Sequence, residues 1–392
     1  MTLRTTALAG LAACGLLACS DSADDPCDEQ ASGTACTWLG TPGSDGFTPD
    51  SAAVDRLSMD VYWTMDMLFA SDGTVWFDDW NNHLVRRVMP NGTLKTVVGW
   101  VDPIFPGDGV PGNQDAERTE TGALGTDVRL NHPTDLVELP SGEVLIMAWH
   151  NHKLRSVDPA TGMVKIVSGR GPGFAGDGGP ASGALFKQPS ALTMDEDGNL
   201  YIGDQQNFRV RKIDAEGTLS TIVGNGMQAS GGDGGPALEA SLNWEAGSNP
   251  EPSGSLAVAG GKLYIADTLS HRIRVVDLET SIIETLAGTG EAGLSGDDGP
   301  ATEAQLNQPR GLEIGPDGDL YVADTNNHVV RAIDLETGVI RRVVGTGELG
   351  ISDEGAPALE SKLRRPFGIE FDPDGNLYVM DTLNSRIVKV AR

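Results

Sequence analysis

Short apolar runs and polar turns alternate along this chain in an order that keeps returning. In one copy, Pro309-Arg310-Gly311-Leu312-Glu313-Ile314 leads into a brief strand and Asp317-Gly318 supplies a hairpin turn. The run Leu320-Tyr321-Val322-Ala323-Asp324 follows, then a strand ending at Ile333-Asp334, a turn at Thr337-Gly338 and an apolar run from Val339 to Val344. Short runs rich in Val, Ile, Tyr and Leu, bounded by Gly, Asp and Pro, predict strands. Four of them make one antiparallel sheet. Glycine-rich segments such as Gly176-Asp177-Gly178-Gly179-Pro180-Ala181, 232–237 and 296–301 lead from one sheet to the next.

A second marker counts the sheets. The unit Asn-His-x-aliphatic-Arg, with substitutions, occurs as Asn82-His83-Leu84-Val85-Arg86 and again with its first slot at 151, 207, 270, 327 and 384, in steps of 69, 56, 63, 57 and 57 residues. Sheets this small must stack face to face, and stacking around an axis gives a β-propeller. The last repeat, from Pro366, stops at Arg392 after its third strand. The missing strand stands at the other end, where Thr37-Trp38-Leu39-Gly40-Thr41-Pro42-Gly43 parallels Thr285-Leu286-Ala287-Gly288-Thr289-Gly290-Glu291. The predicted fold is all-β: a six-bladed propeller of four-stranded antiparallel blades, closed by an N-terminal strand on the C-terminal blade, which leaves no open edge.

Ahead of the repeats, Arg4 and the apolar run from Ala7 to Ala18 read as a secretory signal over 1–18, too short to span a bilayer. Leu16-Leu17-Ala18-Cys19 resembles a bacterial lipobox, which makes Cys19 the expected lipidation site; Leu11-Ala12-Ala13-Cys14 fits the pattern but leaves a very short apolar region. Ser20 after that cysteine resembles the signal for passage to the outer membrane. Residues 19–34, rich in Asp, Ser and Gly, are expected to be a flexible tether, and 35–392 a single propeller domain. Cys27 and Cys36 are then left either as a disulfide in an oxidising compartment or as two thiols. The formal charge of −28 argues against nucleic acid, and acyl chains are the expected membrane contact.

With Asn82-His83-Leu84 intact and its slot repeated six times, the chain resembles the NHL-repeat family, and its Gly-Asp-Gly-Gly-Pro-Ala connections resemble the teneurin-type subgroup. The resemblance covers roughly 35 to 392 and implies a six-bladed propeller. It leaves function open among protein- and RNA-binding platforms, metal-dependent lyases and lactonase-like hydrolases.

Residues that recur in every blade are expected to serve the blade, and departures from the repeat mark candidate sites. His83, His152, His271 and His328 share one slot and are read as structural residues of the third strand. Asp79, Asp204, Asp267, Asp324 and Asp381 are read as partners of the arginines at 86, 155, 211, 274 and 331. His132 and His150 lie outside the slot, too few for a three-histidine zinc site. Asp195-Glu196-Asp197-Gly198 and Asp372-Pro373-Asp374-Gly375 are read as hairpin turns, not calcium loops. Asp177, Asp233 and Asp297 either ring one face and hold cations weakly or shape glycine turns.

The first two blades break the pattern most. The slot holding Gly311 and Gly368 late in the chain holds Asp66 and Asp135 early, and His132 begins the second of these strands. Asp66, His132 and Asp135 are the candidate catalytic or metal group at the channel mouth, for a divalent cation such as calcium or zinc; a solvated channel wall is the other reading. Blade two puts Ala148 in the acid slot, followed by Trp149 and His150. Trp100, Phe105, Trp149, His150 and Trp244 form the candidate recognition patch, against the alternative that they cap blades. The expectation is a monomeric, noncatalytic binding platform, lipid-anchored at the bacterial cell envelope, with no cofactor and a protein or glycan ligand. It is expected on the outer membrane, facing the periplasm or the cell surface. The alternative is a metal-dependent lactonase-like or lyase-like enzyme.

Overall fold

Each repeat folds as its alternation predicts. In blade five, Leu312–Ile314, Leu320–Asp324, Val329–Ile333 and Val339–Val344 lie side by side in chain order, and Gly318 takes the left-handed turn at φ +86°. The computed structural model describes residues 27, 30–50, 56–90, 92–100, 122–248 and 250–392. Its six antiparallel sheets are the six blades of a propeller. The first strands of successive blades are mutual neighbours from blade one round to blade six and back, so they surround the axis.

The core lies between blades. Trp76 and Val85 of blade one pack with Leu136 and Ile146 of blade two; Ala266 and Ile273 of blade four pack with Leu312 and Val322 of blade five. Every sheet thus buries both faces against neighbours, which is why its strands alternate so weakly in polarity.

Closure follows the expected route. Thr34–Leu39 pairs with Arg386–Val390 in the register Ala35↔Val390, Cys36↔Lys389 and Thr37↔Val388. Trp38 meets Tyr378 edge to face at 5.4 Å, inside a core shared with blade one. Cys27 and Cys36 form a disulfide with a Cα separation of 6.0 Å, tying the incoming chain to the latch strand.

The glycine-rich connections do more than turn. Gly299–Pro300 adds to the outer strand of blade five, Gly235–Pro236 to that of blade four, Ala356–Pro357 to the latch strand and Ala123–Leu124 to blade two. Each covers an edge that would otherwise be an open row of hydrogen-bonding groups. Their aspartates are held by the blade arginines: Asp177 by Arg211 at 2.7 Å, Asp233 by Arg274 at 2.6 Å and Asp297 by Arg331 at 2.6 Å. The same guanidinium reaches the slot acid, as in Arg211–Asp204 at 3.2 Å and Arg331–Asp324 at 3.7 Å. In blade six the cation comes from a different position, with Arg386 Nε 2.8 Å from Asp381. In blade two, where Ala148 replaces the acid, Arg155 donates to Asn151 Oδ1 at 3.0 Å.

The slot histidines stand just before the third strand, as left-handed residues closing a single 3-10 turn, with φ of 57°, 58°, 55° and 58° at His83, His152, His271 and His328. Each Nδ1 accepts a backbone N–H from the next blade, from His132 at 3.2 Å, Gln188 at 2.9 Å, Gln308 at 3.1 Å and Arg365 at 3.2 Å. They staple one blade to the next, which is why they recur.

Candidate functional site

The first strands enclose a cavity of about 320 Å³ on the axis. Its wall is tiered because the strands run along it in parallel register. The tier nearest the strand starts holds Met65, Thr134, Ser190, Ser253, Arg310 and Phe367, all buried. Further along, Leu68, Val137, Thr193, Glu313 and Glu370 keep solvent contact. The cavity is therefore closed where the chain enters the blades and opens toward the Asp-Gly turns.

The ring is uneven at the second tier. A Cβ on Gly311 would collide with the carbonyl oxygen of Phe367, and one on Gly368 with that of Met65, so the blades meet there backbone to backbone. At blades one and two a carboxylate fills the wider seam. Asp66 Oδ2 accepts the Leu136 N–H at 2.8 Å, Asp135 Oδ2 accepts that of Leu192 at 2.8 Å, and in blade four the Ser255 hydroxyl accepts that of Leu312 at 3.2 Å. Asp66 and Asp135 also stand close enough in the wall to influence each other's ionisation. Behind them, Asp78 Oδ1 accepts the amides of Met65 and Asp66 at 2.7 and 3.0 Å.

Burial pushes all these carboxyls up, and repulsion from neighbouring acids adds to it at Asp78, Asp135, Glu313 and Glu370; these four and Asp66 lie above the ordinary carboxylate range. Glu313 and Glu370 are two residues beyond the glycines of blades five and six.

The expected trio divides. Asp66 and Asp135 meet in the channel wall, but His132 does not join them. The left-handed backbone of His132, φ 55°, turns its ring to the face of blades one and two, away from the strand that Asp135 occupies. There its Nδ1 lies 2.9 Å from His150 Nδ1 and its Nε2 3.2 Å from Asn81 Oδ1, with Trp80 at 4.1 Å and His83 at 4.3 Å between ring centres. Trp63 stacks on Trp80 at 5.8 Å, Tyr62 meets Trp63 edge-on, and His150 stacks on Trp149 at 3.9 Å. Tyr62, Trp63, Asn81, His132 and His150 are half-buried at the surface of this group. Burial foremost, then neighbouring imidazoles, holds these histidines down, to about 4 at His83 and His150. Among the described residues no group of three or more His, Cys, Asp or Glu side chains is placed to hold a metal ion.

The expected recognition patch also changes. Trp149 is fully buried and donates to Gln205 Oε1 at 3.1 Å; Trp244 is fully buried and donates to the Ala266 carbonyl at 2.9 Å. Both are wedges between blades and not a recognition surface, because the loops carrying them fold down onto the core. Trp100 is half-buried under Arg129, 4.3 Å away, and Phe105 lies outside the described residues. Of the predicted patch, His150 reaches the blade one–two face.

Arg310, Arg365, Glu313, Glu370 and Trp63 were missed. Arg310 carries its charge into the closed end of the cavity, where burial lowers it to about 10; its Nη2 lies 2.8 Å from Glu251 and 3.4 Å from Glu245. Arg365 bridges the same Glu251 and donates to Asn326 Oδ1 at 2.9 Å. Glu313 and Glu370 were passed over although each is an acid between two apolar residues of a first strand. That interruption is the signal that could have found them. Trp63 is signalled by the lead-in slot of its blade, which His132, Gln188, Gln308 and Arg365 fill elsewhere with the same left-handed backbone.

The model of the teneurin NHL domain matches residues 255–353. The chain is 27% identical over 361 residues to the protein SUPPRESSOR OF QUENCHING 1 of Arabidopsis thaliana, covering 89% of this chain and 31% of that protein. It is 30% identical over 295 residues to the human NHL repeat-containing protein 2, covering 68% and 38%. Teneurin-1 of mouse is 24% identical over 360 residues, 82% of this chain and 12% of its own. The chain thus spans less than two fifths of the length of each of these relatives. Among solved structures, a Bacteroides thetaiotaomicron protein of unknown function superposes with a TM-score of 0.64 at 18% identity, covering 93% and 76%. An auxiliary nutrient binding protein of the same organism gives 0.61 at 15%, covering 91% and 75%. Likeness at that identity speaks for the fold.

Proposed function

We propose that this chain, an NHL-repeat protein of the teneurin type, is a noncatalytic binding platform whose ligand lies on the blade one–two face. One observation carries the reading. Where the repeat breaks, Tyr62, Trp63, His132 and His150 present a continuous half-buried surface of aromatic and imidazole rings rimmed by Asn81. Rigid rings offer apolar contact at low entropic cost, and the imidazoles and amide add directional hydrogen bonds, as suits a protein loop or a glycan. The net charge of −28 disfavours nucleic acid.

The metal-dependent alternative has weaker support from the chemistry of the channel, because Asp66 and Asp135 each commit one oxygen to the next blade's amide. A calcium or zinc ion there would have two half-used carboxylates.

The platform is placed at the cell envelope by a lipid on Cys19, and works as a monomer. Glycan-array and envelope-protein binding by the mature domain, compared with Tyr62→Ala and Trp63→Ala, tests the site. A loss of more than about tenfold is expected for ring truncation at an interface centre, and unchanged binding by both variants overturns the reading. Failure of Cys19→Ser to abolish palmitate incorporation would remove the anchor.

A further inference from the structure

We infer that the axial cavity is a second binding site, for a small aliphatic amine with two or more ammonium groups. It is independent of the blade one–two face. The carboxylates stand in two tiers, Asp66 and Asp135 two strand residues nearer the closed end than Glu313 and Glu370, or roughly 7 Å along the strand direction. Among the described residues no three acids or histidines converge for one ion. A molecule with two separated cationic centres spans the tiers where one ion does not.

A separate observation points to an occupant. Thr134, 6% exposed, belongs to the wall beside Asp135, and its hydroxyl has no hydrogen-bond partner in the protein. A buried hydroxyl without a partner costs about 1–3 kcal/mol, and an ammonium hydrogen would satisfy it. The cavity has the volume of a small-ligand pocket, at the lower end of about 300–1,000 Å³. It is blocked at one end by Arg310 and Phe367, so a ligand enters past Glu313 and Glu370. Arg310 adds no net repulsion, since Glu251 and Glu245 compensate it. Burial first, and for Asp135, Glu313 and Glu370 then the neighbouring carboxylates, raises the acids that face the cavity above the ordinary range, to about 7 at Asp66 and about 8 at Glu313. An incoming ammonium favours the carboxylate form and displaces to solvent the protons these acids carry.

Titration calorimetry with putrescine on the full domain, in buffers of different ionisation enthalpy, is the test. One-to-one binding with proton release is expected, weakened at least tenfold in Glu313→Gln and Glu370→Gln and several-fold in Thr134→Val. Glu336→Gln on the exposed surface and Trp63→Ala on the other face should leave it unchanged. Both glutamine variants keep side-chain shape, and thermal unfolding confirms that they fold. Equal weakening by Glu336→Gln, binding to many sites, equal binding of 1,4-butanediol, or one-to-one binding of calcium in place of putrescine each overturns the proposal.

Discussion

Replacing Asp324 by alanine removes one member of a buried charge network whose other contacts are known. Asp324 is fully buried; Oδ1 accepts the Asn307 N–H at 2.7 Å, and Oδ2 accepts Asn327 Nδ2 at 2.8 Å while facing Arg331 at 3.7 Å. Arg331, also fully buried, keeps Asp297 and the carbonyls of Gln305 and Ser295. Removing one partner of a buried pair costs about 3–5 kcal/mol. The remaining contacts of Arg331 put the expected loss near the lower limit, about 3 kcal/mol. In Asp324→Ala/Arg331→Met the orphaned charge is gone, and the double variant should recover at least about 1 kcal/mol of that loss. Urea unfolding followed by tryptophan fluorescence measures both at fixed pH. Blade two is the natural comparison, since Ala148 stands in the acid slot and Asn151 serves Arg155 instead. A single-variant loss below about 1 kcal/mol, or a double variant worse than the single, would refute the account of these acids as blade staples.

Trp38→Ala should cost about 3–5 kcal/mol by emptying the core between the latch strand and blade one, read as a fall in unfolding temperature. Cys27→Ser should lower stability by about 2–3 kcal/mol for its short loop, and dithiothreitol should reproduce that fall in the parent but not in the variant. Gly311→Ala should destabilise by more than about 2 kcal/mol through the backbone shift its Cβ forces, whereas Gly183→Ala, whose Cβ meets open space, should be nearly neutral in the same denaturation assay. The staple of His152 requires a neutral imidazole, and burial, then the charges of Lys153 and Lys187, lowers it from 6.5 to about 4. The unfolded chain then binds more protons, so the contribution is full above pH 6.5 and is lost as pH falls through about 4. His152→Phe, the side chain that blade three carries at Phe208, should reduce the acid-side slope of stability against pH. An unaltered slope would show that the seam does not titrate.

The ring was legible because the features that build it repeat. A slot filled in most blades, such as Asp204 or His271, answers to a local geometry every blade shares, so its period reports blade number, and the three-stranded last repeat with a single matching strand at the other end reports closure. The site was legible only as far as it departs from that period. Asp66 and Asp135 stood out because glycine fills their slot at 311 and 368, and they do meet. His132 stood out because it lies outside the recurring histidine slot, but its φ of 55° carries its side chain to another surface, and no linear pattern shows that a lead-in residue is left-handed. Trp149 and Trp244 read as recognition residues because loops containing large aromatics in an acidic chain suggest exposure; burial was decided by how those loops fold back, a contact between segments distant in sequence. Glu313 and Glu370 escaped for the opposite reason: each sits inside a correct strand pattern, and only the convergence of six strands on one axis brings them within range of Asp66. Departure from the repeat thus identifies which blades differ, while the composition of the axial cavity depends on a packing of all six that no single repeat encodes.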